Sequence, residues 1–92
     1  MSLLEIAVAT RHASMADARP HLDAAFAKHF PGGLLQRRWE GETLVVFGPG
    51  ASGTITFADG KLIGRADLKP PASLMKAVIE QKVSAALADG AI

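Results

Sequence analysis

Histidines are the first candidates for acid–base or metal chemistry in this sequence, and there are three: His12, His21 and His29. His21 and His29 lie eight positions apart on a predicted helix, which is too far for both to hold one ion. Asp17 and His21 are four positions apart and could share an ion, but two ligands without a third do not make a metal site. The spacing therefore predicts no bound metal and places the histidines among the solvated polar residues.

Nucleophiles and phosphate-binding loops are the next candidates. The chain has no cysteine, which excludes disulfides and thiol catalysis, and none of its serines lies in a nucleophile-elbow motif. The glycine-rich stretch at 50–53 lacks the lysine and the following helix of a phosphate-binding loop, so it is expected to be a bend between strands. An enzyme would need a convergent cluster of polar side chains. We expect no catalytic residues, no cofactor and no enzymatic activity.

Arg37 is the charged residue that the predicted strand pattern places among core residues, between Leu35 and Trp39. A buried guanidinium needs a carboxylate partner, whereas an arginine on an edge strand can extend its charged head to water. A third alternative is that Arg37 anchors the carboxylate of an acyl ligand in an apolar cavity between the last helix and the sheet. The sequence leaves these alternatives open.

The overall charge of the chain restricts its partners. The formal net charge is +1, which gives no strong field toward nucleic acid or an anionic membrane. Arg37, Arg38 and Arg65 could form a basic patch, but the strand pattern places Trp39 and Phe47 on opposite faces of the sheet. No platform for stacked bases forms in that arrangement. We therefore expect no nucleic-acid partner.

Length and composition predict one small globular domain over residues 1–92. Hydrophobic residues make up 49% of the chain and charged residues 21%, as in ordinary folded proteins. The N-terminal segment lacks the basic start of a signal peptide. No stretch of the sequence approaches the roughly 20 apolar residues of a membrane span. The expected location is the cytoplasm, with no membrane span.

Hydrophobic periodicity and turn residues predict the element order β-α-β-β-β-β-α. Asp59-Gly60 is a strong signal for a two-residue hairpin, and short hairpin connections make the sheet antiparallel. Both helices then lie on one face of a two-layer α+β sandwich, similar to a reduced helix-grip domain, with the spatial strand order 1-5-4-3-2. The predicted bounds are a strand around 4–8, a helix to residue 30, strands at 34–40, 43–48, 52–58 and 61–68, and a helix at 72–88 with Gly90 placed to end it.

The start of the first helix is ambiguous because of Pro20. If Ser14 is the N-cap, Pro20 lies beyond the first turn and removes a backbone hydrogen bond. If Asp17 is the N-cap, Pro20 falls within the first turn, where its missing N–H has no helical partner to lose. We therefore predict a main helix that begins near Asp17, with a looser turn before it.

The last helix carries an apolar stripe whose partner the sequence does not fix. Packing on the sheet is expected, because the sheet would otherwise have too little cover. The alternative is a contact with an external hydrophobic surface. The stripe consists of Leu74, Met75, Val78, Ile79, Val83, Ala86 and Leu87.

The face of the sheet that the helices leave uncovered is the predicted interaction surface. Strand parity places Leu34, Val45, Phe47 and Ile63 there, beside polar residues that include Arg65. A sheet face that meets water is usually more polar than this, although scattered apolar side chains on a surface are also ordinary. The alternatives are plain exposure to solvent and a contact with a second copy or another protein.

Two motifs and part of the last helix resemble a known family. They are Arg38-Trp39-Glu40-Gly41-Glu42-Thr43-Leu44, Gly50-Ala51-Ser52-Gly53-Thr54-Ile55 and Lys76-Ala77-Val78-Ile79-Glu80. With these residues the chain is similar, over nearly its whole length, to the polyhydroxyalkanoic acid system proteins, also called polyhydroxyalkanoate granule-region proteins. The resemblance implies a bacterial cytoplasmic accessory protein encoded near genes for polyhydroxyalkanoate (PHA) synthesis and storage. It implies no catalytic residues.

These observations favour a non-enzymatic binding protein of the PHA system that acts through protein–protein contacts. The expected partners are a second copy of the chain, in a homodimer, and PHA granules or granule-surface proteins. The alternative is a carrier of a small apolar or acyl ligand, held in a cavity beneath the last helix with Arg37 as its anchor.

Overall fold

The sheet and the two helices expected from the sequence are present. A computed structural model describes residues 2–30, 35–70 and 72–92 of the chain. Its elements are β1 (Ser2–Ala9), α1 (Met15–His29), β2 (Gln36–Glu40), β3 (Thr43–Gly48), β4 (Ala51–Ala58), β5 (Lys61–Leu68), a 3-10 turn (Ala72–Met75) and α2 (Lys76–Gly90). The five strands form one antiparallel sheet in the order β1-β5-β4-β3-β2. The predicted α+β architecture and strand order are confirmed.

Two tight turns fix the register of the hairpins. Asp59 and Gly60 both have a positive φ, 52° and 72°, which is the conformation that a two-residue hairpin turn of type I′ requires. They join β4 to β5 with Ala58 opposite Lys61. Gly41, with φ 61°, lies in the turn between β2 and β3. Because these registers are fixed, alternate residues of each strand fall on one face, as the parity argument predicted.

The core lies between the helices and one face of the sheet. Phe26 on α1, Leu44 and Ile55 on the sheet, and Leu87 on α2 are all at most 2% exposed. Among the described residues no polar or charged side chain is buried with them. Removing this apolar surface from water is the main favourable term in folding, at roughly 25 cal/mol per Å².

The first helix begins earlier than predicted. The hydroxyl of Ser14 accepts a hydrogen bond from the backbone N–H of Asp17 at 3.3 Å, so Ser14 is the N-cap and Pro20 lies inside the helix. The predicted start near Asp17 is therefore wrong. The physical reason is burial, because Met15 and Ala18 are at most 2% exposed. Their packing and the cap hold the first turn despite the backbone hydrogen bond that Pro20 cannot make.

The last helix differs from the prediction in its first half. Its apolar stripe is buried at Val83 and Leu87, but Met75 is 57% exposed and Val78 is 45% exposed. Leu74, in the 3-10 turn, is 83% exposed. The expected packing of the stripe on the sheet therefore holds for its C-terminal part and not for its N-terminal part. These exposed positions border a groove that is described below.

Gly90 ends α2, where the sequence predicted an end, but it acts through packing. It is not among the glycines with positive φ, so it is not the left-handed residue that often stops a helix. A Cβ atom at this position would lie 2.7 Å from Leu22 Cδ2 and 3.3 Å from Leu22 Cα. The glycine therefore allows α1 and α2 to approach closely.

The loop between β1 and α1 caps the C-terminal end of α2. Thr10 Oγ1 and the backbone N–H of Arg11 donate to the carbonyl of Ala91 at 2.9 and 3.2 Å. His12 Nε2 donates to the carbonyl of Gly90 at 2.8 Å. These bonds satisfy carbonyls that have no partner within the helix. They also join the beginning of the described chain to its end.

Candidate functional site

The candidate site is the sheet face opposite the helices, which we call the outer face. Of the predicted interaction residues on it, Val45 and Ile63 are half-buried, Phe47 is 37% exposed and Arg65 is exposed. Leu34, the fifth predicted residue, lies outside the described residues. The register places the four described residues on the same side of the sheet.

Cross-strand pairing arranges the side chains of the outer face in rows. One row, from β1 to β2, consists of Glu5, Arg65, Thr54, Val45 and Arg38. The neighbouring row consists of Leu3, Asp67, Ser52, Phe47 and Gln36. In both rows the central strand, β4, contributes a small hydroxyl side chain between larger ones. The side chains of the outer face therefore project least from the sheet along β4.

A shallow trough of about 410 Å³ includes these small side chains of β4. Leu3 and Val45 stand on its two sides, and Ser52 and Thr54 line it between them. Asp67 also lines the trough, and its Oδ1 atom is buried with no hydrogen-bond partner in the described part of the chain. The trough is thus an apolar depression with a few polar atoms, open to side chains of a partner.

Ion pairs lie at the two edges of the outer face. Arg65 Nε is 2.9 Å from Glu5 Oε2 near the β1 edge. At the β2 edge, a guanidinium nitrogen of Arg38 is 2.6 Å from Glu40 Oε2, and the same guanidinium lies 5.9 Å from the centre of the Phe47 ring. Exposed pairs of this kind contribute only about 0–1 kcal/mol to stability. These pairs therefore add little to the stability of the sheet.

Sequence reasoning missed two residues of this face, Leu3 and Glu5. Leu3 is 73% exposed, and it lies beside the trough. The signal was present in the first strand, because inward Leu4 and Ile6 imply outward neighbours. The predicted strand order already placed β1 beside β5, and the register of this pair shows that Leu3 and Glu5 continue the outer face.

Arg37 lies on the helix side of the edge strand β2, opposite Val46. Its Nε donates to Asp23 Oδ1 at 3.3 Å, and Trp39 Nε1 donates to the same oxygen at 3.0 Å. The residue is exposed, so Arg37 both reaches water and has a carboxylate partner. An acyl ligand anchored by Arg37 would have to compete with Asp23.

His12 and His29 join elements rather than standing free in solvent, which corrects the prediction for these two, whereas His21 is exposed as predicted. His12 caps α2, and its ring centre lies 4.7 Å from that of His21 on α1. His29 Nε2 donates to Asp89 Oδ2 at 2.6 Å and so connects α1 to α2. No group of three or more His, Asp or Glu residues that could hold a metal ion occurs within residues 2–30, 35–70 and 72–92.

The contact between His29 and Asp89 predicts a pH-dependent stability. The hydrogen bond from His29 lowers the pKa of Asp89 below its ordinary value of 3.8, and the nearby charge of Lys28 acts in the same direction. Because the folded-state pKa is the lower one, the stabilisation is present above about pH 4 and is lost as the pH falls through the folded pKa. We expect Asp89→Asn to lower the Tm slightly at pH 6 and by less at pH 2.5.

Thermal melts followed by circular dichroism at both pH values measure this difference. Glu42→Gln, which removes an exposed carboxylate from the β2–β3 turn, is the control and should show no such pH-dependent gap. An equal effect of Asp89→Asn at both pH values would contradict the prediction.

The fold and the outer face define a two-layer α+β protein with one sheet face that no described element covers. Comparisons of the chain with protein-family models, with curated proteins and with solved structures gave no match. None of the described helices is both long and apolar enough to cross a membrane. A function can therefore be inferred only from the residues of the chain itself.

Proposed function

We propose that this chain is a non-enzymatic binding protein of the cytoplasmic PHA storage system and that it assembles as a homodimer through the outer face. The observation that carries the proposal is the exposure of Leu3 and Phe47 beside an apolar trough on a sheet face that no described element covers. The cellular setting rests on the resemblance of its motifs to the PHA system proteins.

A second copy fits the outer face because the charges of that face are self-complementary. A two-fold axis that runs parallel to β4, between two stacked sheets, reverses the strand order across the interface. β1 of one copy then lies over β2 of the other, and β4 lies over its own counterpart. This arrangement places Glu5 opposite Arg38 of the second copy, twice in the dimer.

The same axis also brings Phe47 to the trough. Phe47 of one copy comes over Asp67 of the other, between Leu3 and Ser52, because Asp67 and Phe47 occupy equivalent places on either side of β4. The small side chains of the two β4 strands face each other at the centre. The dimer would therefore bury an aromatic ring twice, with small residues between the two rings.

The interface area expected for this dimer is small. Five strands about 4.8 Å apart and five to eight residues long cover roughly 500–600 Å². The two copies together would bury about 1,000–1,200 Å², near the lower limit for specific interfaces. We expect a dimer that dissociates at about micromolar concentrations and leaves the helix side of both copies free for granule-surface proteins.

Phe47→Asp is expected to abolish the dimer. A carboxylate over the trough would be desolvated without a partner, so Kd should rise at least about 100-fold. Sedimentation equilibrium of the wild type and the variant over a wide concentration range measures this change. Leu74→Asp is the matched control, since Leu74 is more exposed but lies on the helix side, and it should leave Kd unchanged.

The charge pairing provides a second test of the same arrangement. Glu5→Arg and Arg38→Glu should each weaken the dimer, whereas the double variant should regain part of the affinity because the opposed charges are restored. A wild type that stays monomeric at high concentration would refute the homodimer. If it dimerises but does not sediment with PHA granules from a polymer-storing bacterium, the granule association alone is wrong.

A further inference from the structure

An apolar groove of about 290 Å³ lies on the helix side of the molecule, beside the first turns of α2. Met75, Val78, Ile79 and Lys82 form one wall, at the spacing of three and four residues that places side chains on one helix face. Phe30 and Leu35 lie on the other side, with residues of the β3–β4 turn. The groove is therefore built by α2, the end of α1 and the sheet.

Apolar side chains of this wall are exposed to solvent, and a ligand in the groove would cover them. Met75 and Val78 are 57% and 45% exposed although they belong to the apolar stripe of α2. Ile79, between them and Lys82, packs partly against the core. A volume of about 290 Å³ is at the lower end of the range of roughly 300–1,000 Å³ for small-molecule pockets. The groove thus suits one acyl chain better than a helix of another protein.

A positive charge at one end of the groove favours a ligand with an anionic head group. Among the described residues that line it, Lys82 is the only charged one, and none of the ion pairs in the described part of the chain involves Lys82. Lys82 lies seven positions after Met75, which is about 10.5 Å along the helix. A ligand with its anionic head at Lys82 and its tail toward Met75 would cover the exposed apolar positions between them.

We infer that this groove binds a medium-chain fatty acid, with Lys82 on the carboxylate and the alkyl chain against Met75, Val78 and Ile79. The site is separate from the outer face, so it does not depend on the homodimer. It also differs from the predicted site beneath the helix, because Arg37 does not line the groove and is paired with Asp23.

Titration with decanoate, followed by methyl NMR, tests the inference. The methyl signals of Met75, Val78 and Ile79 should shift, and those of Leu3 and Val45 on the outer face should not. Affinity should rise about fourfold for each methylene from hexanoate to decanoate, because each buried methylene contributes a constant increment. Shifts that spread over both faces, or an affinity independent of chain length, would overturn the site.

Variants separate the roles of charge and apolar surface. Lys82→Met, which keeps an unbranched side chain, should weaken decanoate binding about tenfold and leave decanol binding unchanged. Lys61→Met removes an exposed lysine far from the groove and is the control. Val78→Asp should abolish binding of both probes without unfolding the domain, as circular dichroism would show. Equal decanoate affinities for Lys82→Met and Lys61→Met would refute the carboxylate contact.

If the groove is instead an interface between copies of the chain, Val78→Asp would change the dimer Kd, and decanoate would compete with self-association. That result would overturn the inference of a ligand site. It is distinguishable from failure of the outer-face dimer, because that dimer is tested with Phe47→Asp on the opposite side of the sheet.

Discussion

Phe26→Ala is expected to lower the free energy of unfolding by about 3–5 kcal/mol. Phe26 is 1% exposed, belongs to the core cluster formed by both helices and the sheet, and stacks on Phe30 with ring centres 5.8 Å apart. Alanine would leave a cavity that the surrounding side chains fill only in part. Since a domain of this size is stable by only about 5–15 kcal/mol, the loss would be a large fraction of its stability.

Urea unfolding followed by far-UV circular dichroism measures this change. Phe47→Ala is the matched control, because it removes the same ring from the outer face, where Phe47 is 37% exposed. Measured at a concentration where the chain is monomeric, it should change the free energy of unfolding by less than about 1 kcal/mol. Similar losses for the two variants would mean that Phe26 is not at the centre of the core.

Gly90→Val is expected to lower the free energy of unfolding by about 2–3 kcal/mol, through overpacking. Its Cβ would lie 2.7 Å from Leu22 Cδ2, and Leu22 is fully buried. Neither side chain has free space, so α1 and α2 would have to separate. The hydrogen bonds from Thr10 and His12 to the end of α2 would be strained by that movement.

The control for Gly90→Val is Ala88→Val, in the same turn of α2 but exposed. It measures only the effect of the lower helix propensity of valine compared with alanine, which is about 0.5 kcal/mol. Urea titrations of both variants give the difference. If Gly90→Val is no more destabilising than Ala88→Val, the close approach of the two helices is wrong.

The strands could be predicted well because their signals are local. Asp59-Gly60 fixes a hairpin through its own backbone conformation, and alternation of apolar residues then assigns a face to every strand residue. The start of α1 could not be predicted in the same way. The choice between Ser14 and Asp17 depended on whether Met15 would be buried, and this is settled by tertiary packing rather than by sequence near Pro20.

The candidate sites were only partly predictable, for the same reason. Parity placed Val45, Phe47 and Ile63 on the outer face, but the row that joins Glu5 to Arg38 needs the register of β1 against β5 as well as the strand order. The apolar stripe of α2 was visible in the sequence, although periodicity cannot show which turns meet the core. Whether Lys82 borders an open groove depends on which turns of α2 meet the core.

The bonds from the β1–α1 loop to the end of α2, together with the pairing of β1 with β5, have a consequence during synthesis. Residues 2–12 leave the ribosome before the rest of the described chain, yet their partners lie at 61–68 and 90–91. Translation adds about 5–20 residues per second, so this first segment waits several seconds while the β2–β5 meander emerges and pairs locally. Since β1 can pair only after β5 has emerged, we expect β1 to join the sheet after the β2–β5 meander.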